Sequence, residues 1–484
     1  MNYKMMGRFI GKILIVEAVF MVPALFISLW NREFAAVYGF MWTLAAIMGT
    51  AALFLFLGRG SKKKFYAREG LACVGISWVV MSFLGCLPFC ISGAIPSFVD
   101  AFFEIVSGFT TTGASVVPEV EKLPMGILYW RSFSHWLGGM GVLVFLLAIS
   151  SAGGGENGFT MHLLRAESPG PNVGKLVPRM RKTAGILYLL YILLTILNII
   201  FLLAGGMSLF EAVCTAYGTA GTGGFGIKND SIAGYSPYIQ NVCTVFMLLF
   251  GVNFSCYYLL LVRQFKSVLL DEELRMYLGM VAGSILLIVL NLRGVYGTLE
   301  ETVRHAAFQV ASIMTTTGFA TTDFDLWPSF SKAILLFLMV VGACAGSTGG
   351  GFKCGRILLM LKSLRRSVHQ LVHPRQVQAI FSNGHPVDEK VLQNTNAYLA
   401  AYVSFVMLSF LLISTDGFST TTNFSAVLAC FNNIGPGFDA VGPTCNFASY
   451  SIFSKLVLVV DMLAGRLEIF PILILFSRTT WKRK

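Results

Sequence analysis

Apolar runs of about twenty residues recur along this chain, and that length is what a helix needs to cross the hydrocarbon of a bilayer. Ten can be marked, near 9–30, 36–57, 71–92, 127–150, 185–205, 239–262, 275–293, 331–361, 394–415 and 452–476. Only 12% of the 484 residues are charged, against roughly 25% in ordinary globular domains. Mean hydropathy is +0.71 and 55% of residues are hydrophobic, which excludes a soluble enzyme and predicts a polytopic membrane protein. The first run, FIGKILIVEAVFMVPALFISLW, has no small-residue cleavage site after it and reads as a retained helix.

A net charge of +12 suggests nucleic acid, but the distribution argues for a lipid bilayer instead. Basic residues cluster in alternate loops, as cytoplasmic loops do. RGSKKKFYAR (59–68) is one cluster; Arg165, Lys175, Arg179, Arg181 and Lys182 form another. Arg356, Lys362, Arg365, Arg366 and Arg375 form a third, and Arg478 with Lys482, Arg483 and Lys484 ends the chain. The intervening segments carry Asp100, Glu104, Glu119, Glu121, Glu211, Asp230, Glu300, Glu301, Asp323, Asp325, Asp416 and Asp439. They read either as an acidic outer face that concentrates cations or as ordinary solvated loops.

The ten cysteines contain no C-x-x-C pair and suit small packing positions, although Cys430 and Cys445 flank one loop and could pair. HQLVH (369–373) has two histidines at i, i+4 but lacks the glutamate of a zinc-protease helix.

Between the apolar runs lie four segments too short and polar to span, which align with one another. They are SFVDAFFEIVSGFTTTGAS (97–115), SLFEAVCTAYGTAGTGGFG (208–226), TLEETVRHAAFQVASIMTTTGFA (298–320) and TTNFSAVLACFNNIGPGFD (421–439). Each is an amphipathic stretch leading into small and hydroxyl residues around a glycine. The repeat unit is therefore helix, short re-entrant helix, glycine loop, helix, occurring four times after two extra N-terminal helices. Non-helical backbone at membrane depth is tolerated only where it is buried in protein or lines a water-filled path.

The loops reduce to TTGAS (111–115), TGGFG (222–226), TTGFA (316–320) and NIGPG (433–437). Potassium-selective filters use four Gly-containing loops whose carbonyl oxygens replace the ion's water. The expected ion-binding ring is Thr111, Thr112 and Gly113; Thr222, Gly223 and Gly224; Thr316, Thr317 and Gly318; and Asn433, Ile434 and Gly435. K⁺ would sit at the first two residues of each triplet. Asp323 and Asp325 would stand at the mouth. The alternative is four extracellular turns. In the second string either Gly223 or Gly224 could be the filter glycine; Gly224 is preferred because it precedes Phe225 as Gly318 precedes Phe319. Asn433 and Pro436 break the pattern and imply weaker discrimination of K⁺ from Na⁺ than four equal strings would give.

WLGGMGVLVF (136–145), RAESPGP (165–171) and GRLEIF (465–470), together with the four strings, resemble the TrkH family, the membrane subunits of bacterial potassium uptake systems, within the superfamily that includes KtrB. The resemblance covers nearly the whole chain, and the two leading helices suit TrkH better than the shorter KtrB. It implies an all-α polytopic membrane protein: two N-terminal helices (1–68) and four pore repeats (69–183, 184–272, 273–392 with an interrupted last helix, and 393–484) around a central pore. It further implies a homodimer, a TrkA-like nucleotide-binding ring as cytoplasmic partner, a bacterial inner membrane and both termini in the cytoplasm.

This chain carries no nucleotide motif of its own. GSTGGGFK (346–353) superficially resembles a P-loop but lacks the G-K-[ST] ending. No cofactor is expected, only K⁺ as the permeant ion, and no enzymatic chemistry. An intramembrane protease would need two converging carboxylates, and Asp461 is the only obvious mid-helix one.

The stretch GACAGSTGGGFK (342–353) interrupts the last apolar run of repeat three, since so many glycines cannot hold a helix interior. The resemblance makes Gly346, Ser347, Thr348, Gly349, Gly350 and Gly351 a gate beneath the filter, with Arg466 beside it; a packing kink is the plainer alternative. For Arg466 the plainer alternative is a salt bridge to Asp461. A Na⁺-coupled K⁺ transporter of KtrB type, or a mixed K⁺/Na⁺ pathway, is the main functional rival.

Overall fold

The computed structural model describes residues 2–60, 67–139, 141, 180–376 and 378–481. RAESPGP, half of WLGGMGVLVF, the far end of the run 127–150, most of the basic cluster 165–182, Lys62 to Lys64 and the last three residues lie outside them.

Two helices, Tyr3–Trp30 and Phe34–Leu57, form an N-terminal hairpin. Glu33 in its turn accepts hydrogen bonds from the amides of Met125 (2.6 Å) and Gly126 (3.1 Å). Those amides open the helix Met125–Gly139, where the first N–H groups have no partner within the helix and favour an anion. Gly126 lets the two helices touch: a methyl there would lie 1.8 Å from Ser28 Oγ. The hairpin is thereby fastened to the first inner helix.

Four units follow. The outer helices are Ala67–Gly85, Met180–Ala204, Glu272–Asn291 and Glu389–Ile413. The pore helices are Phe98–Phe109, Leu209–Gly221, Leu299–Met314 and Thr420–Phe431, and the inner helices are Met125–Gly139, Pro237–Phe250, Ser329–Val341 and Ile452–Arg466. Each pore helix begins on a hydroxyl cap, at Ser97, Ser208, Thr298 and Ser419, whose side chain accepts from the amide three residues on. The fourth helix starts at Thr420, one residue before the segment marked in the sequence. Apolar clusters link repeat one to four, two to three, and three to four, and Phe210, Val213 and Tyr217 of repeat two pack against the first of these, so the core closes as a ring in chain order.

The ten apolar runs divide by role. The N-terminal pair and the four outer helices are each long and apolar enough to cross a membrane unbroken. The runs at the second, third and fourth inner helices are not single helices. After Phe250 the chain bends by 88° into Phe254–Leu261. After Val341 it is non-helical to Lys353 and resumes as Cys354–Val372. After Arg466 it turns through Glu468 and Ile469, both at positive φ, into Phe470–Phe476. The sequence reading expected this interruption only in repeat three.

A two-residue hairpin, Phe381–Ser382 with His385–Pro386, is a small departure from an all-helical chain. Cys430 is buried in the fourth pore helix and Cys445 lies exposed; both are free thiols. The rings of His369 and His373 lie 4.9 Å apart, tilted by 48°, and among the described residues no three metal-ligating side chains cluster.

Candidate functional site

Each pore helix ends in the same way. A left-handed residue stands at its end: Thr111 (φ 57°), Thr316 (59°) and Asn433 (56°) follow the C-cap, and Thr222 (54°) is itself the C-cap. The amides that follow turn back onto the helix. Thr112 donates to Ser107 O (2.8 Å), Gly223 to Gly218 O (2.9 Å), Thr317 to Ser312 O (2.8 Å) and Ile434 to Ala429 O (2.8 Å). A bond spanning three residues accompanies each, from Thr111, Thr222 and Thr316 to the carbonyls of Gly108, Thr219 and Ile313 (3.1 Å each) and from Asn433 to that of Cys430 (3.2 Å). This is a Schellman cap, made four times. Its left-handed position normally takes glycine or asparagine, so three β-branched threonines there hold local strain of order 1–3 kcal/mol each. Asn433 departs from the threonine pattern only by suiting this backbone better.

Two residues on, Gly113 (φ 80°), Gly224 (75°), Gly318 (84°) and Gly435 (100°) repeat in the same register. In the second string it is Gly224, not Gly223, that shares this backbone register. Gly223 has a different need: a methyl there would lie 2.2 Å from the His135 ring.

The four strings meet in a closed ring. A methyl on Gly113 would lie 1.9 Å from Gly223 O, one on Gly224 2.0 Å from Thr317 O, and one on Gly318 2.0 Å from Ile434 O. One on Gly435 would lie 2.9 Å from Thr112 O, which completes the circuit. Every string therefore packs its glycine against the carbonyl of the next. Among the described residues, no backbone N–H donates to the carbonyls of 111–113, 222–224, 316–318 or 433–435. All four glycines also line one open cavity of about 140 Å³.

Side chains brace this ring. Thr110 Oγ1 meets Thr112 Oγ1 at 2.8 Å, Thr315 Oγ1 meets Thr317 Oγ1 at 2.7 Å, and Ser312 Oγ donates to Phe319 O at 2.6 Å. Asn433 Nδ2 reaches across to Thr112 Oγ1 (2.9 Å), joining the fourth string to the first. His135 joins the first repeat to the second: Nδ1 lies 2.8 Å from Gly108 O, and Nε2 accepts from the Phe225 amide at 3.2 Å.

A buried ion pair went unread in the sequence. Arg131 Nε donates to Glu104 Oε1 at 2.6 Å, and both side chains are buried. Arg131 also donates to Gly226 O (2.9 Å) and Ser115 Oγ (3.2 Å), and its guanidinium lies 3.6 Å over the Phe225 ring. Glu104 accepts from Val116 N (2.9 Å). The pair thus fixes the exits of the first two strings. An arginine inside the run 127–150 was the available signal, since charges at membrane depth mark function or a partner.

The acidic mouth is built differently from expectation. Asp325 Oδ2 accepts from Asp439 N (2.8 Å), Lys332 Nζ lies 3.4 Å from Asp325 Oδ1, and Asp323 caps the short turn at Asp325. Hydrogen bonds from the Ser419 and Thr422 hydroxyls hold the Asp439 carboxyl below the usual carboxylate range. These aspartates tie the third and fourth loops together. Among the described residues, the charged side chains lining the outer cavity are Arg131 and Lys228.

Beneath the ring lies the stretch 342–353. Gly350 N donates to Thr316 Oγ1 (2.6 Å), a methyl on Gly350 would lie 2.3 Å from Asn432 O, and one on Gly349 2.8 Å from Thr315 O. The loop therefore abuts the inner ends of the third and fourth strings. Gly346 (φ 73°) and Gly351 (φ 78°) supply its left-handed corners. Ser347 Oγ donates to Cys344 O (2.6 Å), and Thr348 Oγ1 to Phe250 O (3.3 Å). The buried Lys353 Nζ donates back to Gly349 O.

Arg466 closes the arrangement. Its Nη1 donates to Thr348 O (2.8 Å), and its Nη2 to the carbonyls of Gly138 and Gly139, the latter at 2.7 Å. One guanidinium from repeat four thus joins the loop of repeat three to the end of the first inner helix. Asp461 engages Ser409 Oγ instead (2.6 Å), so the salt-bridge alternative for Arg466 gives way to carbonyl contacts.

Residues 36–482 match the TrkH family, described as cation transport protein. The chain is 35% identical over 492 residues to the Trk system potassium uptake protein TrkH of Salmonella typhimurium, covering 100% of each. It is 32% identical over 478 residues to the Trk system potassium uptake protein TrkG of Escherichia coli, covering 96% of this chain and 95% of that one. Its structure aligns with the crystal structure of the potassium transporter TrkH from Vibrio parahaemolyticus with a TM-score of 0.88 at 33% identity, over all of both chains. A pseudo-fourfold ring of glycine strings in a multi-pass helical chain, matched over its full length in sequence and in structure, places this protein in the TrkH family of cation transport proteins.

Proposed function

We propose that the chain is the potassium-translocating membrane subunit of a Trk-type uptake system. The observation that carries the reading is the ring itself. Four backbone segments in one register present carbonyls that no backbone amide among the described residues engages, next to glycines that line an open cavity. Buried carbonyls need a partner, and a dehydrated cation is one they suit. In this reading K⁺ contacts Thr111, Thr112, Thr222, Gly223, Thr316, Thr317, Asn433 and Ile434, while Gly113, Gly224, Gly318 and Gly435 admit the close packing. The ion is the permeant species; no cofactor and no chemical step is assigned to the chain.

Residues 346–351 and Arg466 form the gate. The loop obstructs the path sterically, and a fixed positive charge in a low-dielectric region raises the barrier to cations. Residues 69–183, 184–272, 273–392 and 393–484 are the four repeats behind the hairpin of 1–68. The protein sits in the inner membrane of a bacterium as a homodimer, with both termini in the cytoplasm. A TrkA-like nucleotide-binding ring docks on the basic face.

A second reading, a Na⁺-coupled or mixed K⁺/Na⁺ pathway, draws on the unequal ring, where Asn433, Gly223 and Ile434 stand in for threonine. Rubidium and sodium uptake into proteoliposomes, with and without the partner, tests both. Rubidium uptake that is independent of sodium and exceeds sodium uptake is expected. Rubidium uptake that requires sodium supports the second reading, and a protein passing neither ion ends both.

A further inference from the structure

The loop 342–353 has a tie that belongs to neither the ring nor Arg466. Glu273, in the first turn of the third outer helix, accepts through Oε1 from the Ala345 amide (2.6 Å) and from the Gly355 amide (2.9 Å). Ala345 precedes the glycine-rich turn. Gly355 is the second residue of the helix Cys354–Val372, where an amide lacks an intrahelical partner and favours negative charge. One oxygen thus clasps both flanks of the loop.

The surroundings are shaped for that clasp. A methyl on Gly355 would lie 2.9 Å from Glu273 Oε1 and 3.2 Å from its Cδ, so glycine is what lets the carboxylate approach. The neighbouring amides are also held. Cys344 N donates to Gly251 O (3.1 Å), and Phe254 N donates to Gly346 O (3.1 Å), both from the bend after the second inner helix. Residues 344–346 are therefore anchored; on the other flank Phe352, Lys353 and Cys354 donate to the carbonyls of Val340 (3.2 Å), Val341 (2.9 Å) and Ala343 (3.0 Å), so freedom is confined to what lies between Gly346 and Phe352.

We infer that Glu273 is a positioning residue for the gate, a staple that joins residues 345 and 355 and so limits how readily the loop between them leaves the pore. The inference rests on the reading of 346–351 as the gate. Shortening a flexible segment by fixing its ends reduces the conformations it can reach, and the staple acts from an outer helix that contributes no residue to the ring.

The test is rubidium uptake into proteoliposomes without partner, per unit of folded protein, for wild type, Glu273→Ala, Glu273→Gln, Gly355→Ala, the Glu273→Ala/Gly355→Ala double variant, and a deletion of 345–350. Glu273→Ala and Gly355→Ala should each raise basal flux about tenfold, the factor that ~1.4 kcal/mol represents. Glu273→Gln should do less, because its amide oxygen still accepts. The double variant should not exceed the singles, since both remove one interaction. The rubidium-to-sodium ratio should stay at the wild-type value.

Alanine has a higher helix propensity than glycine, so a flux rise in Gly355→Ala is not explained by a weakened helix. If the deletion raises flux while Glu273→Ala and Gly355→Ala stay at the wild-type level, the staple is refuted and the gate stands. If the deletion itself leaves flux unchanged, the gate reading fails and takes the staple with it. Should Glu273→Ala not fold, hydrogen exchange at the Ala345 amide in Glu273→Gln and Gly355→Ala decides: faster exchange supports the staple, and unchanged protection in both overturns it.

Discussion

Gly318→Ala puts the ring to its most direct test. The added methyl would stand 2.0 Å from Ile434 O and 3.0 Å from Pro436 Cδ, where ordinary contact begins near 3.4 Å. Relieving the first overlap needs a displacement of about 1.4 Å (3.4 − 2.0). Bringing a Cβ to φ 84° adds roughly 1–2 kcal/mol of backbone strain. A carbonyl moved by more than 1 Å no longer fits a dehydrated ion, and one lost polar partner costs ~1–3 kcal/mol, or roughly 5–150-fold in rate. Rubidium uptake should therefore fall by that factor, or sodium uptake rise, at unchanged yield and monodispersity. The four glycines should not respond equally. Gly113→Ala and Gly224→Ala face clearances of 1.9 and 2.0 Å and should match Gly318→Ala, whereas Gly435→Ala has 2.9 Å and should be milder. Uptake at the wild-type level in the three tight variants would refute the assignment of these strings as the filter. An effect in Gly435→Ala as large as the rest would refute the steric argument for its size.

Removing Arg466 by Arg466→Ala should raise partner-independent rubidium flux several-fold without changing the rubidium-to-sodium ratio; wild-type flux in that variant would leave the guanidinium a packing role. Arg131→Gln strands Glu104 without its charge partner and should cost ~3–5 kcal/mol of stability, read as a lower unfolding temperature in detergent, whereas Arg131→Gln with Glu104→Gln should recover part of that loss. Orientation is checked by single cysteines in a background without native ones: a membrane-impermeant maleimide applied to intact cells should label Asp325→Cys and spare Arg375→Cys, and the reverse pattern would invert the topology.

Much of this was legible before any coordinates. The four strings align by eye, and the backbone gives them one register, because a Schellman cap and a glycine two residues later leave a local signature. The broken inner helices were less legible. Glycines announce the break at 342–353, but the bend after Phe250 has a single Gly251, and Glu468 and Ile469 take positive φ with no sequence mark. Apolar composition follows burial, and it stays high across a break enclosed in protein. The Arg131–Glu104 pair and the staple at Glu273 are contacts between residues far apart in sequence. Periodicity carries no information on those. The aspartates were misread for a related reason: a charge count locates carboxylates on one side of the membrane but says nothing of the amides and hydroxyls that engage them.

The closed circuit of four unequal strings has an evolutionary consequence. In a pore made of four identical chains, any substitution in the ring occurs four times at once, and the ring must survive the sum. Here one codon alters one quarter. Asn433, Ile434 and Pro436 stand against Thr111, Thr112 and Ala114 at matching positions, yet the backbone keeps its left-handed turn and its glycine in all four. On the proposed filter reading, selection tunes permeation in single steps, each about a quarter of what a symmetric ring would feel. The contact from Gly435 back to Thr112, the loosest of the four, is where such drift meets least resistance.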